Sequence, residues 1–264
     1  MGAADGTSEG KGFAAVWREL NCMEQGEKAN YGLDAPGLVK MFFFGGGAMV
    51  LIGVALIVTH KNGLLIAVGF TLFFPGIIFF IESLLMFLSS RYGKLRARDR
   101  MLDALQLKGN ETVLDVGCGR GLLLIGAARR LPQGKAVGLD LWNQQDLADN
   151  RSTATMENAR IEGVEDRIEV HNGNMMDMPF GDGAFDAIVS SNAIHNIYDR
   201  EGRRKAINQI VRVLKSGGQV ALLDFRNTGE YADDLRAAGL QNVQRSGLVF
   251  WIFPPVRVVT GKKA

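Results

Sequence analysis

Two carboxylates bracket a glycine-rich turn in this chain. Asp115 stands two residues ahead of Gly117-Cys118-Gly119-Arg120-Gly121 in "VLDVGCGRG", and Asp140 ends the next apolar run in "AVGLD". Glycines spaced in this way let a backbone turn tightly after a strand and approach a ligand closely. A dinucleotide site wants G-x-G-x-x-G, with a pyrophosphate resting on the start of the following helix. Here the spacing is G-x-G-x-G, and Leu122 stands where the third glycine would be. Asp115 would repel a pyrophosphate but suits a ligand carrying an ammonium group. Asp140 is placed to accept hydrogen bonds from both hydroxyls of a ribose.

Residues of this kind act only if something holds them together. Apolar, β-rich runs at Thr112 to Val116, Ala136 to Leu139, Arg167 to His171, Phe185 to Ser190, Gln219 to Asp224 and Val243 to Leu248 predict strands. Helical patterns lie between the earlier ones, and a short amphipathic helix near Lys94 to Leu107 precedes them. The alternation predicts an α/β fold with a doubly wound, mostly parallel sheet. Such sheets bind ligands at the carboxyl ends of the strands where the winding reverses, which is where the glycine turn would lie.

Four stretches, "VLDVGCGRG", "AVGLDLW", "VHNGNMMDMPFGDGAFDAIVSSNAIHNI" and "INQIVRVLKSGGQVALLDF", occur in an order and at spacings that resemble the class I S-adenosylmethionine-dependent methyltransferases. The likeness is to the small-molecule branch (methyltransferase type 11) that includes the ubiquinone and menaquinone methyltransferases, and it runs from roughly Arg100 to the C-terminus. It implies a Rossmann-like sheet whose last strand, within "LVFWIFPPVRVVTGKK", is antiparallel. It implies S-adenosyl-L-methionine as cofactor, S-adenosyl-L-homocysteine as product, and no metal. Asp115, Gly117, Cys118 and Gly119 would shape the methionine side of the pocket. Asp140 would take the ribose, and Leu141 and Trp142 would border the adenosine. In Gly173-Asn174-Met175, Asn174 stands where the family usually has an Asp that contacts the adenine amino group, and its amide oxygen can still accept. Ser190, Ser191 and Asn192 would lie beside the sulfonium and the substrate. Asn192 and His195 are the catalytic candidates, His195 as base or orienting group. His60 and His171 have weaker claims. The segment after Asp140 is longer than expected, so Asp146, Asp149, Asn150 and Arg151 are either substrate-side residues or a solvated loop.

The region ahead of this domain is apolar. Residues 40–90 hold two long apolar runs separated by "HKNG", each exceeding the ~18 residues that mark a membrane span. A transmembrane helical hairpin over 38–90, with spans at about 40–60 and 64–90, is expected, ahead of a methyltransferase domain over 91–264. The exit "RYGKLRARDR" is strongly basic while the turn carries only Lys61, so both ends are expected on the cytoplasmic side. Folding the hairpin at Lys61 and Asn62 sets Gly45, Gly46 and Gly47 opposite Pro75 and Gly76, where Pro75 is expected to kink the second helix. It also sets Glu82 level with Lys40, either as an interfacial ion pair or as a contact for a substrate headgroup. Residues 11–29 carry apolar side chains at helical spacing, expected as a membrane-surface helix or a lid within the N-terminal segment 1–37.

The chain has 264 residues, with 30 Lys+Arg against 28 Asp+Glu, a balance that argues against nucleic-acid binding. Its two cysteines, Cys22 and Cys118, do not suggest a disulfide framework. The first residues lack the basic start and early apolar core of a cleaved signal. The expected partners are a lipid bilayer, a small hydrophobic or lipid-like methyl acceptor and, through the spans, a second copy of the chain. A non-catalytic membrane scaffold that keeps a cofactor-binding domain is the alternative.

Overall fold

The computed structural model describes residues 28–143, 147 and 149–264, so the amphipathic helix expected over 11–29 lies almost wholly outside the described residues, as does Asp146. The strands form where short β-rich runs bury both faces: β1 (Thr112–Val116), β2 (Lys135–Asp140), β3 (Ile168–Asn172), β4 (Phe185–Ser191), β5 (Leu214–Asp224), β6 (Leu240–Arg245) and β7 (Arg257–Lys263). They make one seven-stranded sheet in the order β3-β2-β1-β4-β5-β7-β6, parallel from β3 to β5 and antiparallel at β7 and β6. Side chains alternate across the strands with the period of two that β geometry imposes. Val113, Ala221 and Leu223 enter the core layer that includes Leu102, Leu124 and Ala128. Leu114, Val220 and Leu222 enter the opposite layer with Ile207, Ile210 and Tyr231. The winding reverses between β1 and β4, and this fixes the mouth of the site.

The strand expected at Val243 to Leu248 instead runs over Leu240–Arg245. Leu240 is its buried anchor, and Asn242, at φ 52°, sits in a bulge that breaks the alternation. The apolar run "LVFWIF" is not strand. It forms a loop that reaches the base of the helical hairpin.

That hairpin is α1 (Pro36–Thr59) and α2 (Gly63–Leu88). Pro36 opens α1, where its missing amide costs nothing, and Asn62 caps α2 by accepting from the Leu64 amide at 2.9 Å. By length and composition, both helices can cross a membrane. Glycines set their approach. A Cβ on Gly46 would stand 2.8 Å from the Gly76 carbonyl oxygen, and one on Gly53 2.7 Å from that of Gly69. Gly45 and Gly47 face open space, so the expected cluster narrows to two glycine contacts a heptad apart. Pro75 lies within the helical span of α2. Large apolar side chains point outward, Phe44 at 70 % and Leu51 at 73 % exposure.

The hairpin is welded to the sheet domain. A five-residue π turn, Ser89–Gly93, carries α2 directly into α3 (Lys94–Ala104). Lys94 Nζ donates to the carbonyls of Tyr31 (2.9 Å) and Gly32 (2.7 Å) and approaches Asp34 (3.3 Å). Ser90 Oγ accepts from the Asp34 amide at 3.1 Å, and Ser89 Oγ accepts from the Phe253 amide at 2.9 Å. Arg96 and Arg100 stack over Trp251, 5.2 and 4.9 Å from its ring centre.

Candidate active site

The glycine turn links β1 to α4 (Leu122–Ala128), and Gly117, Gly119 and Gly121 have φ of +74°, +50° and +86°. Other residues strain there, and space is short as well. A Cβ on Gly117 would overlap that of Ala193, and one on Gly119 would lie 2.9 Å from Leu147 Cδ2. The turn is held from below by Thr155 Oγ1 donating to the Gly119 carbonyl (2.7 Å) and Asn158 Nδ2 to that of Arg120 (2.9 Å), both from α5 (Ser152–Ile161).

Asp115 is 2 % exposed, and one of its oxygens accepts from the Leu124 amide at 2.8 Å. Burial pushes its carboxyl up to about 8; the Leu124 hydrogen bond opposes the shift and the Asp140 charge adds to it. Asp140 accepts from the amides of Gly119 (2.8 Å) and Trp142 (2.6 Å) and from Asn150 Nδ2 (3.3 Å). A carboxylate has about four acceptor positions, so capacity for a ligand hydroxyl remains. Burial pushes the Cys118 thiol well above its ordinary value, with Asp115 and Asp140 adding to the effect. It is therefore a packing group rather than a nucleophile.

These residues line a cavity of about 970 Å³ at the carboxyl ends of the strands. Of the residues expected around a cofactor, Asp115, Gly117, Cys118, Gly119, Asp140, Leu141, Gly173, Asn174 and Met175 line it. Trp142 and Ser190 do not. Trp142 packs against the core layer beneath, and the Ser190 hydroxyl donates to the Val116 carbonyl at 2.7 Å. Asn174 Oδ1 already accepts from the Met176 amide at 2.9 Å, an Asx turn that occupies part of the oxygen expected to face an adenine. Asn150 lines the cavity, whereas Asp149 pairs with Arg120 at 2.7 Å and Arg151 at 2.8 Å. Two buried carboxamide oxygens, Asn150 Oδ1 and Asn192 Oδ1, have no donor among the described residues.

His195, in the turn Ile194–Asn196 after β4, also lines the cavity. Its Nδ1 lies 2.9 Å from Asp224 Oδ1, a separation of charge contact, although the hydrogen-bond angle is poor. Asp224, at the end of β5, is 1 % exposed and is fixed by the Phe225 amide (2.8 Å) and the Tyr231 hydroxyl (3.1 Å). The Phe225 ring stands edge-on to the imidazole at 4.5 Å. Asp224 was absent from the sequence expectations. The signal for it is in "ALLDF", an acid closing an apolar strand just as Asp140 does. His171 pairs instead with Glu169 at 2.6 Å, outside the cavity, and His60 lies in the hairpin turn.

The far wall of the same cavity comes from outside the sheet domain: Tyr31, Asp34, Leu38 and Phe42 on one side, Glu82 and Met86 of α2 on the other, with Phe253 and Pro254 of the β6–β7 loop.

Residues 113–218 match the family model described as a methyltransferase domain. The chain is 31 % identical over 130 residues to a demethylmenaquinone methyltransferase of Lactobacillus johnsonii, covering 48 % of this chain and 49 % of that protein. It is 32 % identical over 124 residues to the chloroplastic 2-phytyl-1,4-beta-naphthoquinone methyltransferase of Arabidopsis thaliana, covering 47 % and 45 %. The chain thus spans about half the length of these curated relatives. In fold it is similar to a geranyl diphosphate methyltransferase solved with S-adenosylmethionine (TM-score 0.51, 18 % identity, 64 % of this chain and 85 % of that one). A S-adenosylmethionine-dependent methyltransferase from Aquifex aeolicus is similar too (TM-score 0.50, 21 % identity, 64 % and 90 %).

Proposed function

We propose that the chain is a class I S-adenosylmethionine-dependent methyltransferase and that it methylates a hydrophobic or lipid-like acceptor taken from a bilayer in which its hairpin is embedded. One observation carries this reading: a single cavity is lined both by the glycine turn and by Leu38, Phe42, Glu82 and Met86 of the two membrane-length helices. The outward-facing Phe44, Leu51 and Leu64 support the bilayer half, since such a surface would be costly in water. The relatives named as demethylmenaquinone and 2-phytyl-1,4-beta-naphthoquinone methyltransferases support a quinone-type acceptor.

The residues fit the cofactor. Its ammonium, ribose hydroxyls and adenine amino group are donors, and the cavity offers the acceptors Asp115, Asp140, Asn150 Oδ1 and Asn192 Oδ1. A pyrophosphate would meet the Asp140 carboxylate instead. When bound, S-adenosylmethionine supplies a methyl group on a sulfonium for in-line displacement. This chain then has to align the acceptor, exclude water and take up any proton the acceptor loses. The Tyr31–Asp34 strap and the Phe253–Pro254 loop line the cavity opposite the turn. In this reading His195 takes up the proton at its Nε2, and the Asp224 carboxylate, 2.9 Å from Nδ1, stabilises the charge gained.

Five basic residues, Arg91, Lys94, Arg96, Arg98 and Arg100, follow α2 against Lys61 alone in the turn, which supports a cytoplasmic site. Cysteine labelling of intact cells reads this directly: with Cys22 replaced by Ser, a cysteine at Asn62 is expected to react from outside and one at Lys108 only after permeabilisation. The activity is tested with the full chain in lipid nanodiscs, methyl-labelled cofactor and a lipid extract. Label is expected in an organic-soluble product, and His195→Ala is expected to lower the rate by about 10²-fold or more with cofactor affinity unchanged. Absence of labelled product, with cofactor bound, would favour the scaffold alternative.

A further inference from the structure

We infer that Glu82 reads the polar end of the acceptor: its carboxylate accepts a hydrogen bond from a hydroxyl or amine carried on an otherwise apolar molecule. The inference rests on the bilayer-fed site proposed above. Glu82 is the only acidic residue between Pro36 and Leu88 and stands less than two helical turns from the junction at Ser89. It is half-buried and lines the cavity. The expected ion pair with Lys40 is absent; Lys40 is exposed, and among the described residues Glu82 has no hydrogen-bond or ion-pair partner.

Its surroundings make that vacancy of partners informative. Met86 lies one turn along the same face of α2, and Leu38 and Phe42 are likewise a turn apart on α1, so the hairpin wall offers no donor. Lys94, a cation lining the cavity, is spent on the Tyr31 and Gly32 carbonyls and Asp34. A carboxylate among apolar groups is costly unless a donor reaches it. An occupant whose tail lies among Phe42, Leu38 and Met86 and whose polar end carries an O–H or N–H supplies one. A carbonyl, ether or anionic end would oppose acceptor to acceptor. Glu82 thereby selects donor-bearing acceptors over their capped counterparts.

The test uses the full chain in nanodiscs of neutral phospholipid, saturated with adenosylhomocysteine. Four probes share one tail: dodecylhydroquinone and its dimethyl ether, dodecylamine and N,N-dimethyldodecanamide. At least one donor probe is expected to bind about tenfold more tightly than its donor-free counterpart, the scale of one charge-assisted hydrogen bond. Glu82→Leu is expected to bring the pair within about twofold. Glu82→Gln tells the two sources apart: its neutral amide oxygen keeps much of a preference for the hydroxyl and loses one for the ammonium. Adenosylhomocysteine affinity reports folding, and Glu82→Met serves if the Leu variant fails to fold. No preference in the unaltered chain, or a preference that survives in a folded apolar variant, overturns the inference. Preference without methyl transfer in parallel discs given methyl-labelled adenosylmethionine in place of adenosylhomocysteine would sink the enzymatic reading and leave the role of Glu82 standing; transfer without preference does the reverse.

Discussion

Asp140 and Asp224 each close an apolar strand and Asp115 stands one residue before the end of its own, yet the fold gives them different surroundings. Asp224 lies 2.9 Å from an imidazole nitrogen, Asp140 gathers two amides and keeps capacity for a ligand, and Asp115 is buried in the cavity wall below the turn. Because burial raises the folded pKa of Asp115 to about 8, the folded chain keeps a proton that the unfolded chain releases in the ordinary carboxyl range. The linked stability is full below that range, falls as pH rises, and is gone once pH passes about 8. Thermal stability without cofactor is therefore expected to fall between about pH 4 and 8, and Asp115→Asn to flatten part of that decline. An identical slope in the variant would contradict the assignment. The sequence made the pair Asp115 and Asp140 visible because strand ends and glycine spacing are local patterns. It could not separate Ser190 from Ser191, or Trp142 from Leu141. Which neighbour faces the cavity depends on a strand's last half-turn of twist and on Trp142 entering φ +60°.

At the scale of elements, the hairpin was legible from length and hydropathy, and folding it at Lys61 and Asn62 placed Gly46 against Gly76. Which glycine of the three makes the contact was not legible, because helical phase accumulates over turns and only packing fixes it. Gly46→Leu or Gly53→Leu would drive a side chain into a backbone carbonyl and is expected to destabilise the chain by about 1–3 kcal/mol. Gly45→Leu and Gly47→Leu face open space and are expected to change little. Melting temperatures in one detergent compare all four, and equal losses would rule out the heptad contact. The β6 region shows the opposite case. The strand expected over Val243 to Leu248 ends at Arg245, and the loop after it is tied to the junction by the Phe253 amide on Ser89 and by Trp251 beneath Arg96 and Arg100, a tertiary demand that a local pattern does not carry.

At the scale of the molecule, the parts recognised separately in the sequence share one cavity. The π turn at Ser89–Gly93 leaves no linker between α2 and α3, and the strap and the β6–β7 loop bind both halves. Such a junction holds the carboxyl ends of β1 and β4 beside the hairpin, where the proposed bilayer-fed reading gives an acceptor a high local concentration. The most direct measurement compares two arrangements of the same materials: the full chain in vesicles with methyl-labelled cofactor, and a lipid extract placed either in those bilayers or in separate protein-free vesicles. Label is expected in an organic-soluble product at least about tenfold faster when chain and extract share a bilayer. Equal rates in the two arrangements, or label only in a water-soluble product, would contradict a site fed from the membrane.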